Sequence, residues 1–227
     1  MTFGAVFPRV FGPAFGPGLA QAAAAGGWWL TGGIAAANCI AAYQPKGAAS
    51  LAASYVNLAN PGTNDATVGV APTLAAGGWV LNGSTQYLIV PPIGTGYSAI
   101  VQFTAALSSG TRAVFGTYQG FNNNAAIYPN NGSQVNYFFG GVSARVNVGP
   151  QLLAGNLALT PTGGWRNGTK EATLSSSAGS AINTFVGCWN QAGSPANHLS
   201  VTVAAMAIYN IDISSYMASL VAAMAAL

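Results

Sequence analysis

Residues 77–90 read GGWVLNGSTQYLIV: two short runs rich in β-branched and aromatic residues, joined by Asn82-Gly83. Such runs suit a pleated, half-buried strand, and Asn-Gly supplies the pair of positive φ angles that a tight hairpin needs. The same unit occurs twice more. Asn131-Gly132 lies between AAIYP and SQVNYFF, and Asn167-Gly168 between GGW and TKEATL. All three also satisfy the Asn-X-Ser/Thr acceptor pattern, but nothing in the sequence places the chain in a eukaryotic secretory route, so they are read as hairpin turns. YSAIVQFTAAL, TRAVFGTY, INTFVGCW and HLSVTVAAMAIYN add further strands. Short strands punctuated by turn residues predict an all-β sandwich. After Asp212 the period changes. Ser214 or Ser215 is expected to cap a short helix, about 214–227, whose Met217, Leu220, Val221, Met224 and Leu227 recur at helical spacing and close against the sandwich.

Composition narrows the class. The chain has 227 residues, 51% hydrophobic and only 4% charged, against about 25% charged in an ordinary soluble domain. Disorder requires low hydrophobicity and high net charge, so it is excluded for most of the chain, and one sandwich domain over 28–227 accounts for the length. The net charge of +3 comes from scattered cations, with no cluster that would release counterions from a nucleic acid. Cys39 and Cys188 lie in apolar runs with no second cysteine near either, which excludes zinc-type and redox pairs. They are read as free buried thiols, a disulfide between them being the alternative.

Residues 1–27 differ from the rest. Phe3, Phe7, Phe11 and Phe15 recur at every fourth position among Pro8, Pro13 and Pro17, and a helix cannot run through those prolines. The segment lacks the basic start and unbroken apolar run of a signal peptide, and no apolar stretch of about 20 residues is available to span a membrane. It is read as an extended arm, with Phe3, Phe7, Arg9, Phe11 and Phe15 anchoring the chain to a partner surface. Folding back on its own domain is the alternative. The start at Met1 is taken to mean that nothing has been removed.

From Trp28 to Leu227 the order of pieces resembles the LamG-like jelly rolls of the concanavalin A-like lectin/glucanase superfamily. The resemblance rests on YVNLANPGTNDATVGVAPTLAAGGWVLNGSTQYLIV, then YSAIVQF, the GGWRNGTKEAT hairpin, INTFVGCWN, and the ending VAAMAIYNIDISSYMASLVAAM. It implies an all-β fold: a two-sheet antiparallel jelly-roll sandwich (concanavalin A-like) with an extended N-terminal arm and a short C-terminal helix. An aromatic-rich arm before such a domain looks most like tailed-phage virion proteins.

Departures from that family bear on function. Its glucanases need two facing carboxylates, whereas the acids here are Asp65, Glu171 and Asp212, no two on one strand. A calcium site needs several oxygen ligands, and only Asp65 lies in a suitable loop, where a turn role is the simpler reading. His198 has no nucleophile elbow near it. Neither a cofactor nor a metal is expected. The residues GTYQGFNNNAAIYPNNGSQVNYFFGG gather Tyr118, Phe121, Asn122, Asn123, Asn124, Tyr128 and Tyr137 into one region, suited either to glycan binding through aromatic faces and amides or to a subunit contact. Trp28, Trp29, Trp79 and Trp189 are assigned to the core, and Trp165 to an exposed hairpin tip. The expectation is a non-enzymatic virion structural protein, a capsid decoration or tail appendage. It would bind other virion proteins through its arm, form a homo-oligomer, and touch surface glycans, with no nucleic acid and no membrane insertion. The alternative is a secreted bacterial carbohydrate-binding or adhesion module.

Overall fold

The computed structural model describes residue 1 and residues 27–107, 110–175 and 178–227. The anchoring residues Phe3, Phe7, Arg9, Phe11 and Phe15 lie outside these. Among the described residues the chain forms two stacked sheets, as the alternation of its strands predicts. The first runs in the order Thr169–Thr173, Gly163–Arg166, Gly155–Thr160, Ser98–Thr104, Ser200–Tyr209, Gly78–Asn82 and Thr73–Ala75, with Cys39–Tyr43 also paired to the long strand Ser200–Tyr209. The second runs Arg145–Val148, Gln134–Gly140, Asn124–Asn131, Phe115–Tyr118, Thr184–Val186, Tyr87–Val90 and Thr67–Val70. Its short strand Trp189–Gln191 joins Phe115–Tyr118 in parallel and Ser194–Ala196 antiparallel; the other pairings are antiparallel.

Side-chain parity separates three apolar layers. Leu81, Val101, Phe103, Phe115, Ile127, Tyr137 and Phe139 point between the sheets and are fully buried. On the outer face of the first sheet, Ile100, Ala158, Ala205, Ala207 and Tyr209 pack under the helix Met217–Ala225, whose Met217, Leu220 and Met224 are buried. On the outer face of the second sheet a smaller cluster joins Ala113, Ala126, Tyr128 and Phe138, with Tyr118 and Trp189 against it. Trp79, at the centre, donates its indole N–H to Ser54 Oγ at 2.7 Å, which satisfies the one polar atom of the largest core side chain. Both cysteines are free and buried.

The turns behave differently from one another. Asn167 and Gly168 take φ values of 47° and 86°, and they close the hairpin between Gly163–Arg166 and Thr169–Thr173. At the second site the positive φ angles fall one residue later, on Gly132 and Ser133, because Asn131 itself pairs with Gln134. Asn82-Gly83 is no hairpin. Gly78–Asn82 belongs to the first sheet and Tyr87–Val90 to the second, so the loop crosses between layers. Asn82 Oδ1 accepts the N–H groups of Ser84, Thr85 and Gln86 there. The helical segment begins at Ser214 as expected, but its cap is corrected. Neither Ser214 nor Ser215 caps it; the turn before it is held by Asp212 Oδ1, which accepts the N–H of Ser214 at 2.8 Å, and a 3-10 turn Ser214–Tyr216 leads into Met217.

Candidate functional site

The residues singled out between Tyr118 and Tyr137 divide among three environments. Tyr137 lies between the sheets, fully buried, its hydroxyl 2.9 Å from the Trp165 carbonyl and 2.8 Å from Glu171 Oε1. Asn124 is a buried loop organiser: its Oδ1 accepts from Gln119 N–H, and its amide donates to the carbonyls of Gly120 and Gly140. The loop it holds presents Asn122, Asn123 and Phe121 to solvent, Phe121 being 79% exposed beside exposed Val142, whose N–H reaches the Phe121 carbonyl. Trp165 is not an exposed tip. It is half-buried against the helix-side cluster, and its indole N–H donates to Thr160 Oγ1 at 3.2 Å.

Tyr118 and Tyr128 share the outer face of the second sheet, and the register shows what else stands there. One row across five strands reads Trp189, Gly116, Ala126, Phe138, Arg145; the next reads Tyr128, Asn136, Asn147. Gly116 and Ala126 keep the middle of the first row low. A Cβ on Gly116 would lie 2.7 Å from the Ala126 Cβ and 3.2 Å from that of Trp189, so glycine is what lets the tryptophan sit. Tyr118 and Trp189, both half-buried, pack as a tilted ring pair with centroids 4.9 Å apart. Tyr128 stands edge-on to Trp189 at 5.8 Å, and the Arg145 guanidinium lies 5.1 Å above its ring.

Arg145 is held by an amide chain: its Nε donates to Asn136 Oδ1, and Asn136 Nδ2 donates to Asn147 Oδ1 at 2.6 Å. Burial pushes the Tyr128 hydroxyl above the ordinary phenol range, the Arg145 charge opposing, so it stays protonated and able to donate. Neither Tyr128 Oη nor Trp189 Nε1 has a hydrogen-bond partner. Both donors are buried beneath the face, which itself presents the Tyr118 and Trp189 rings, one fixed cation and the exposed Asn147 amide. Sequence reasoning found Tyr118 and Tyr128 but placed Trp189 in the core and left Arg145 as a scattered cation. Only the cross-strand register brings them together.

The acidic residues sit in structural bonds. Asp65 Oδ1 accepts from the N–H groups of Asn57 and Gly62 and closes their loop. Glu171 pairs with Arg166, and Asp212 also accepts from Thr162. Among the described residues no three His, Cys, Asp or Glu side chains gather as metal ligands, and no helix is long and apolar enough to cross a membrane.

No protein-family model and no curated protein matches the sequence. Solved structures do match in fold. The chain is similar to Trypanosoma rangeli sialidase in complex with 2,3-difluoro-KDN, with a TM-score of 0.61 at 15% identity over 84% of this chain and 33% of that one. It is similar also to a mutant of that sialidase displaying trans-sialidase activity, at 0.60 and 16% identity over 84% and 34%. The chain thus spans about a third of the length of the sialidase chains it matches. The fold is a sandwich of the kind those sialidases contain. Two expectations change. The virion reading draws no support from these matches, and the expectation of a non-enzyme is overturned by them, since the chains sharing the fold are sialidases. Asp65, Glu171 and Asp212 are the acids of this span alone, whereas the matched chains are about three times as long.

Proposed function

We propose that the chain is a carbohydrate-recognising β-sandwich module whose site is the outer face of the second sheet. The observation that carries this reading is the half-exposed Tyr118–Trp189 ring pair on the sheet face that also bears the partly exposed Arg145 and the exposed Asn147. Sugars present apolar C–H faces edged by hydroxyls, and sites that hold them set aromatic surface beside a few directed polar groups. The Tyr118–Trp189 pair supplies the first, and the partly exposed Arg145 and the exposed Asn147 amide supply the second. The fold shared with a sialidase that was solved in complex with sialic acid agrees with it.

The test is binding to an array of glycans followed by titration of the best ligand. Tyr118→Ala and Trp189→Leu should weaken binding about tenfold or more, equivalent to about 1.4 kcal/mol or more, while Phe121→Ala, on the exposed loop, leaves it unchanged. A wild-type chain that binds nothing on the array, or Tyr118→Ala and Trp189→Leu variants that are folded and bind as well as wild type, sinks the proposal.

A further inference from the structure

The three Asn-Gly pairs carry a chemistry beyond turning the chain. In such a pair the backbone nitrogen of the glycine can attack the side-chain carbonyl carbon of the asparagine, because no Cβ on the glycine obstructs the approach. The flanking sequences are nearly identical: Asn82-Gly83-Ser84, Asn131-Gly132-Ser133 and Asn167-Gly168-Thr169. Any difference among them in the folded chain therefore comes from the structure.

Two of the three are locked. Asn82 Oδ1 accepts the N–H groups of Ser84, Thr85 and Gln86 at 3.0, 3.0 and 3.2 Å, and its Nδ2 donates to Thr85 Oγ1 at 3.0 Å. The glycine beside it has no room to move, since a Cβ on Gly83 would lie 2.7 Å from the Ser200 backbone nitrogen. Asn167 Oδ1 accepts the Asn156 N–H at 2.8 Å, and its own N–H donates to the Asn156 carbonyl at 2.9 Å. Gly168 lies against Val221 of the helix, which a Cβ would meet at 3.7 Å. Asn131 differs on both counts. Among the described residues its side chain is bonded by Thr111 Oγ1 and to Asn147 Oδ1, each at 3.4 Å, beyond the usual range of about 2.5–3.2 Å. A Cβ on Gly132 would meet nothing within 4 Å, and Gly132 and Ser133 are both exposed. The turn is pinned beyond the reacting pair, where the Ser133 carbonyl accepts the Gln151 N–H at 2.7 Å.

We propose that Asn131 is a self-modification site, deamidating in the folded chain ahead of Asn82 and Asn167. The Gly132 nitrogen bonds to Asn131 Cγ and gives up its proton as the Cγ–Nδ2 bond breaks, so that ammonia leaves and a succinimide ring remains. Water, the sole co-reactant, then opens the ring. Addition at the side-chain carbonyl gives aspartate; addition at the main-chain carbonyl gives isoaspartate. The new carboxylate stands where the Asn131 amide met Asn147, at the end of the amide chain that holds Arg145. The net charge falls by one from +3. None of this depends on the aromatic face being a sugar site.

The experiment ages the full chain in warm, mildly alkaline buffer made with heavy-oxygen water, then maps its tryptic peptides by mass spectrometry. Cleavage at Lys46, Arg112, Arg145, Arg166 and Lys170 puts each Asn-Gly pair in a peptide of its own. Chain aged in denaturant is the reference, and there the three pairs should react at similar rates. In the folded chain Asn131 should take up label at least about tenfold faster than Asn82 or Asn167, a difference that a few hydrogen bonds to be broken make in a rate constant. Isoaspartate at that position identifies the ring, since direct hydrolysis yields aspartate alone. Asn82 or Asn167 keeping pace with Asn131 in the folded chain overturns the proposal. So does a folded chain that ages with Asn131 unlabelled, or with labelled aspartate and no isoaspartate there.

Discussion

Tyr137 ties the two sheets together, and removing its hydroxyl measures that tie. The residue belongs to the second sheet, yet its hydroxyl reaches the Trp165 carbonyl and Glu171 Oε1 on two strands of the first. One hydrogen serves both acceptors, and the carboxylate, being charged, takes the stronger share. Glu171 Oε2 lies 2.7 Å from Arg166 Nε, a charge contact without hydrogen-bond alignment. Tyr137→Phe keeps the ring and deletes the bond. Hydrogen bonds to charged groups contribute about 1.5–3 kcal/mol. Glu171 retains Arg166 and 19% of its side-chain surface, so water recovers part of the loss and about 2 kcal/mol is expected. For a domain of this size each kcal/mol moves the midpoint by about 2–4 °C, which predicts a fall of about 4–8 °C in a calorimetric melt.

The ring itself supplies a control. A Cβ on Gly164 would come 2.3 Å from a Tyr137 ring carbon, closer than any packed pair tolerates. Gly164→Ala should therefore cost at least as much as a typical overpacked core, about 1–3 kcal/mol, and should cost distinctly less when Tyr137 is leucine. A Tyr137→Phe melt within about 1 °C of wild type, which corresponds to under about 0.5 kcal/mol, would refute the cross-sheet bond. An alanine penalty at Gly164 that ignores the residue at 137 would refute the close approach.

Two further outcomes concern protons. Burial, with Arg112 acting in the same direction and a bond to the Gln86 backbone opposing, holds His198 below the ordinary histidine range. The unfolded chain therefore takes up a proton first as pH falls below about 6.5, and stability declines from there toward the folded value while staying level above. A melting series between about pH 5.5 and 7.5 should show this slope in wild type and lose it in His198→Gln; a slope that persists assigns it elsewhere. On the alkaline side, burial pushes the Cys39 and Cys188 thiols up to about 12 from 9.0, and raises Tyr43, Tyr137 and Tyr209 as well. Raised values mean stability that is whole below about pH 9 and lost as pH climbs to about 12. A thiol reagent at about pH 8 should accordingly leave both cysteines unlabelled until the chain unfolds, and labelling at the rate of a free thiol contradicts their burial.

How much of this was legible in the sequence depends on the range of each interaction. Strand content followed from local composition, and the closing helix from the spacing of Met217, Leu220 and Met224, because both are properties of neighbours along the chain. Asn82-Gly83 shows where that kind of reading stops. The residues report that the chain turns, but which sheet receives the next strand is decided by pairings with Thr184–Val186 and Thr67–Val70, far away in sequence. The same limit separated Tyr128 from Tyr137. Both sit in one hairpin with similar surroundings, yet Tyr128 pairs with Asn136, so its neighbour Tyr137 must face the opposite side. Register alone divided one cluster of aromatics between the cluster on the outer face of the second sheet and a clamp between the sheets. The row through Trp189, Gly116, Ala126, Phe138 and Arg145 draws on five strands and leaves no local period to detect. Scarcity of charge, by contrast, was informative throughout. With so few ionic groups, a cation fixed by amides on an aromatic face stands out as chemistry that the fold alone does not require.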